Sequence, residues 1–233
     1  MTDSSQSAAS VPRLELRGVS KTYTDGGRSL AVLHEISLAL APGELVALVG
    51  RSGCGKTTLL NLAGAMDLPT SGEVLIDGRA TSSLSDSELT ALRRRRIGFV
   101  FQSFQLLPTL TVLENVELPL LLRGDRHSSS AARDRLVWVG LEEKAASMPY
   151  QLSGGQMQRV AVARALVHSP DLVLADEPTG NLDTTSGNRV LELLRESVDR
   201  FGATVLLATH SAEAAALANR RVHLRDGRIE SFD

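Results

Sequence analysis

Cysteine is nearly missing from this chain. Cys54 is the only one among 233 residues, so no disulfide can form within the chain. That scarcity points to a reducing compartment. Basic residues are in no excess: 25 Lys and Arg stand against 27 Asp and Glu, a net charge of −2. A protein held on nucleic acid by phosphate neutralisation usually carries a basic surplus, so no nucleic-acid partner is expected. Long apolar runs are missing too. No window reaches the ~18 consecutive apolar residues of a membrane-spanning helix. The opening MTDSSQSAAS has neither a basic start nor an apolar stretch, so it does not read as a secretory signal. It reads as a disordered tail over residues 1–12. One domain over residues 13–233 is expected, in the cytoplasm. If it works at a membrane, something else must hold it there.

What is present suffices for a sizeable core, since 42% of residues are hydrophobic. Leu14, Leu16 and Val19 suggest an edge strand, and DGGRSLAV a hairpin with a Gly-Gly turn. Four short apolar runs follow: ELVALVG from Glu44, IGFVFQ from Ile97, DLVLADEP from Asp171 and ATVLLATH from Ala203. Helical patterns separate them, among them KTTLLNLAGA and NRVLELLRESV. SGEVLIDGR reads as a strand between turns, and RVHLRDGRIE as a closing hairpin. Residues 103–165 differ in character. Their proline-punctuated leucines and the serines of HSSSAARDRL suit an inserted helical subdomain. Buried runs alternating with helices indicate an α/β fold with a mostly parallel sheet. Ligands bind beyond the carboxyl ends of such strands. Gly50 to Thr57, Gln102, Asp176 with Glu177, and His210 all lie just past run ends. They are expected to converge on one site.

Gly50, Arg51, Ser52, Gly53, Cys54, Gly55, Lys56 and Thr57 fit the phosphate-loop pattern G-x-x-x-x-G-K-[ST], between a strand and a helix, with Thr58 next. The glycines let backbone N–H groups curl around phosphates, and the helix N-terminus adds favourable partial charge. Lys56 would reach the β- and γ-phosphates, and Thr57 would hold Mg²⁺. Asp176 could join the Mg²⁺ shell, and Glu177 could act as general base on water. LSGGQ adds a second helix start. Ser153 as N-cap and Gln156 three residues on make a capping box. Gly154 and Gly155 are not explained that way, because each costs about 1 kcal/mol in a helix relative to alanine. A group approaching the backbone closely, such as an anion, would explain them. Arg93 to Arg96 read as a solvated basic stretch rather than a nucleic-acid or lipid contact.

With these motifs in this order, the chain resembles the nucleotide-binding subunit of ATP-binding cassette (ABC) transporters, from about Leu14 to Arg228. The resemblance implies a P-loop NTPase cassette with a mostly parallel core sheet, an N-terminal antiparallel β subdomain and the inserted helical subdomain. It implies ATP and Mg²⁺ as ligands. It implies a head-to-tail homodimer in which Ser153, Gly154, Gly155 and Gln156 face the partner's phosphate loop. By the same resemblance Tyr23 stacks on adenine, although an ordinary edge-strand tyrosine is the alternative. Gln102 links Mg²⁺ and water to the membrane partner. Asp183 talks across the dimer or only caps a helix, and His210 contacts the γ-phosphate. FVFQSFQLLPTLTVLENVELPLLL and LADEPTGNLD are similar to the lipoprotein-releasing, macrolide-exporting and antimicrobial-peptide branch. That implies a separately encoded membrane permease, worked mechanically and docked on Phe104 to Val116. The expected place is then the inner face of the cell membrane, through that partner. Two other readings stay open: a cassette that signals across the membrane without transport, and a cytosolic ABC ATPase of DNA repair or translation.

Overall fold

The computed structural model describes residues 11–233. The disordered tail expected over residues 1–12 falls almost wholly outside them. In chain order the elements are β1 (Leu14–Asp25), β2 (Arg28–Leu40), β3 (Leu45–Val49), α1 (Lys56–Ala63), β4 (Ser71–Ile76), β5 (Arg79–Ala80), α2 (Asp86–Arg96) and β6 (Ile97–Phe101). Then come α3 (Val112–Arg123), α4 (Ser128–Trp138), α5 (Gly154–Leu166), β7 (Leu172–Asp176), α6 (Thr184–Phe201), β8 (Thr204–Thr209), α7 (Ala212–Ala216), β9 (Arg220–Arg225) and β10 (Arg228–Phe232).

The strands make two sheets. A four-stranded antiparallel sheet has the order β2-β1-β4-β5, and a six-stranded one the order β10-β9-β3-β8-β7-β6. Within the larger sheet every pair is parallel except β9 with β10. The four apolar runs are its strands β3, β6, β7 and β8. Their continuity has a physical cause, because helices cover one face and α1 with the antiparallel sheet covers the other. Alternation persists within the runs as a choice between two cores. Val173 and Ala175 of β7 enter one apolar cluster with α3, α4, α5 and α6. Leu172 and Leu174 enter the other, with α1 and the antiparallel sheet.

One local expectation changes. β1 is not an edge strand: it lies between β2 and β4, and Leu14, Leu16 and Val19 are fully buried beneath it. Arg93 to Arg96 form the last turn of α2, where cations suit the helix C-terminus. Arg93 also donates to the Ala65 carbonyl, and Arg96 pairs with Asp171 at 2.5 Å. The serines of HSSSAARDRL do not cap α4. They occupy its first turn, and Ser128 donates to Glu117 of α3 at 2.6 Å. No helix among the described residues is long and apolar enough to cross a membrane.

Candidate functional site

The carboxyl ends of β3, β6, β7 and β8 open into one cleft. It is lined by the phosphate-loop residues Ser52, Gly53, Gly55, Lys56, Thr57 and Thr58, with Gln102, Asp176, Glu177 and His210. The loop turns into α1 at Gly55, whose φ is 107°. A Cβ there would stand 2.7 Å from Leu33 Cδ2, so only glycine fits. No side chain caps α1, which leaves its first N–H groups facing the cleft. Lys56 is buried. Its Nζ donates to the Gly50 carbonyl at 2.7 Å and the Arg51 carbonyl at 3.2 Å, and lies 3.2 Å from Glu177 Oε1.

Thr57 Oγ1 donates to Asp176 Oδ2 at 2.7 Å. Asp176 Oδ1 is buried without a partner. Burial raises the Asp176 pKa, offset in part by the Thr57 hydrogen bond and by Lys56. An orphaned carboxylate oxygen beside a threonine hydroxyl is a donor set that suits a hard cation such as Mg²⁺. Among the described residues no cluster of three His, Cys, Asp or Glu could hold a metal. Mg²⁺ commonly takes one or two carboxylates and completes its shell with phosphate and water, so the set fits.

Glu177 follows β7 with φ 45°, a left-handed backbone uncommon for a residue with a side chain. Its N–H donates to the Ala208 carbonyl of β8 at 2.9 Å. The carboxylate then reaches His210 Nδ1 at 2.8 Å from Oε2, while Oε1 faces Lys56. Gln102 Nε2 donates to Asn181 Oδ1 at 3.3 Å, and Asn181 Nδ2 returns a bond to the Gln102 carbonyl.

The remaining residues lie around this centre. Tyr23 is exposed on β1, with its hydroxyl donating to Asp67 at 3.1 Å; it lies beside Thr58, outside the cleft wall. Cys54 is buried, with its Sγ against Gly50. Gly50 and Arg51 carry the carbonyls that Lys56 holds. Asp183 caps α6 by accepting from the Ser186 N–H at 2.9 Å, which lowers its pKa. Ser153 and Gln156 form the expected capping box on α5. None of Ser153, Gly154, Gly155 and Gln156 lines the cleft of their own chain.

Two residues at the site left no readable signal in the sequence. Val32 of β2 closes one wall. Asn181 holds Gln102, but an asparagine in a TGN turn looks like any turn residue.

A family model described as ABC transporter matches residues 33–180. The chain belongs to that family. The cassette is 46% identical over 230 residues to the lipoprotein-releasing system ATP-binding protein LolD of Nitrobacter hamburgensis, covering 98% of this chain and 99% of that one. It is 48% identical over 216 residues to the macrolide export ATP-binding/permease protein MacB of Rhodopseudomonas palustris. That match covers 92% of this chain and spans only 33% of MacB. Among solved structures, a dimeric post-hydrolysis state of the ATP-binding cassette MJ0796 bound to ADP and Pi is 43% identical. It covers 94% of this chain and 97% of that chain, with a TM-score of 0.88. A protein of that name from Methanocaldococcus jannaschii is described as an uncharacterized ABC transporter ATP-binding protein. Membership makes this chain an ATP-binding cassette and an ATPase, and the α/β fold with its antiparallel sheet is that of the solved cassettes.

Proposed function

We propose that the cassette is the ATP-hydrolysing subunit of a membrane-bound ABC system, working as a head-to-tail pair under a separate permease. The observation that carries the chemistry is the meeting of Lys56, Thr57, Asp176, Glu177 and His210 in one cleft. In this reading the uncapped start of α1 and Lys56 take the phosphates. Thr57, Asp176 and Gln102 hold Mg²⁺, which when bound neutralises charge on the phosphate oxygens. Glu177 leaves Lys56 as nucleotide enters and accepts the proton of the attacking water. His210, already aimed at Glu177, is placed to face the γ-phosphate. Tyr23 takes the adenine, and Asp183 lies at the seam of the pair.

The LSGGQ residues stand at an exposed helix start outside their own cleft. That supports a role on a partner's nucleotide rather than on the chain's own. The MJ0796 cassette is dimeric in its solved structures, which supports a paired cassette. The names of the relatives, a lipoprotein-releasing system protein and a macrolide export protein, support an exporting permease as partner.

The docking surface needs revision. In the segment 104–116, Leu106 and Leu113 pack on the core, Val112 and Val116 are buried, and only Leu107 stands out. A groove of about 530 Å³ beside it is better suited. Phe99, Phe101, Leu118 and Leu122 give it apolar walls, and Arg93 and Arg94 stand at its rim. It would take an amphipathic helix of the permease.

The test uses the Glu177→Gln variant. Its kcat should fall by roughly 10²–10⁴-fold while ATP still binds. With ATP and Mg²⁺ it should come out of detergent-solubilised membranes with a stoichiometric membrane protein. Turnover at the wild-type rate would remove Glu177 as base. Recovery of cassette alone would remove the permease. A membrane partner that carries no cargo would mark a cassette that signals instead of transporting.

A further inference from the structure

Gln102 follows β6 and opens a loop with an uncommon backbone. Two consecutive non-glycine residues are left-handed, Phe104 at φ 61° and Gln105 at φ 54°. Such conformations are disfavoured once a Cβ is present and persist only where the surroundings hold them. Here α5 does the holding. The Arg164 guanidinium donates to the Gln105 carbonyl at 2.5 Å and to the Phe104 carbonyl at 2.8 Å. On the other side of Gln102, the fully buried Gln158 donates from Nε2 to the Phe101 carbonyl at 3.1 Å. Three carbonyls flanking Gln102 are therefore tied to the helix that LSGGQ begins.

Arg164 is an expensive way to make these bonds. Burial pushes its pKa below the usual arginine value, and no carboxylate offsets that loss. A cation without an ionic partner adds little to stability compared with an apolar side chain of similar volume. Its planar fork sets one guanidinium nitrogen on each of two neighbouring carbonyls, a fixed geometry that a single ammonium lacks.

We propose that Arg164 is a positioning residue for hydrolysis. By holding the Phe104 and Gln105 carbonyls it fixes the loop pose that turns Gln102 toward the cleft. The inference rests on the ATPase reading of that cleft.

The test is a double-mutant cycle in steady-state ATPase assays on the full chain. Arg164→Met keeps the apolar stem and removes the fork. It should lower kcat by roughly ten- to a hundredfold, the scale set by displacing a catalytic group by about 1 Å. The KM for ATP should stay within about twofold, since the phosphate loop is untouched. Arg164→Lys should fall between the two. In a Gln102→Ala background, Arg164→Met should add less than about twofold, because there is no glutamine pose left to lose. An unchanged kcat overturns the proposal, as does an equal loss in both backgrounds. If Arg164→Met does not fold, Arg164→Lys is taken through the same cycle with the same criteria. No ATP turnover by the wild-type chain would instead sink the ATPase reading, so the two failures are told apart.

Discussion

At the residue scale, the site combines groups whose neighbours decide what they can do. Lys56 and Glu177 form an ion pair at 3.2 Å. In the proposed mechanism phosphate competes for Lys56 and frees the carboxylate for water. A second buried group lies away from the chemistry. His168 donates or accepts at Nε2 with the Ile97 carbonyl at 3.1 Å, and its Nδ1 has no partner. Burial, together with Arg123 and Arg135 nearby, pushes its pKa down to about 4. The unfolded chain therefore binds a proton that the fold refuses. Stability is fully present above the ordinary histidine pKa near 6.5 and is lost as pH falls towards 4. Between pH 7 and pH 5 the cost is about 2 kcal/mol. Urea unfolding of His168→Gln should lose that much less over this interval, and equal acid sensitivity would show that His168 does not titrate in this way. Most of the candidate site residues were legible because each follows a run end or sits in a spaced motif. Asn181, Val32 and Arg164 were not. The contacts of Asn181 and Arg164 join residues 79 and 59 positions apart, and no local pattern encodes those.

At the element scale, α5 is the member that ties the molecule together. Its first turn is LSGGQ, its middle packs in the core, and its last turns hold the Gln102 loop. The sequence offered one explanation for both glycines, the approach of a ligand. The structure separates them. A Cβ on Gly155 would lie 2.5 Å from Ser186 Oγ and 2.6 Å from Ser186 Cβ, so the N-terminal turn of α6 already demands glycine there. A Cβ on Gly154 would meet only ordinary contacts at 3.6 Å and beyond. Gly155→Ala should therefore cost about 1–3 kcal/mol from overpacking. Gly154→Ala should be neutral or stabilise by up to about 1 kcal/mol, as alanine does in a helix. Any loss of ATPase activity in Gly154→Ala then reports on ligand approach alone. Thermal unfolding of both variants checks this, and equal losses would erase the distinction. Elements with a strong period were readable at this scale: α6 buries Val190, Leu193, Leu194 and Val198 as its spacing predicts. The place of β1 was not, since alternation marks a half-buried strand but does not tell which neighbours pair with it.

At the scale of the whole molecule, two apolar clusters share one parallel sheet as a common wall. One carries the phosphate loop and the antiparallel sheet, and the other carries the helical layer with LSGGQ. The seam between α4 and α6 is closed by Trp138 and Phe201, edge to face at 5.2 Å. Arg135 lies 3.9 Å over the Phe201 ring, and the indole N–H donates to Glu196 at 2.8 Å. Trp138 is the only tryptophan in the chain. The protein thus carries one tryptophan fluorophore, set at the contact of α4 and α6 within the helical layer. Its emission needs no label and reports from that joint alone. Adding ATP and Mg²⁺ to Glu177→Gln should shift the Trp138 spectrum as α4 turns against α6, with Trp138→Phe as the dark control. A constant spectrum would mean that α4 and α6 move as one body. A shift, followed in a stopped-flow trace, would time the internal motion against the turnover of each ATP.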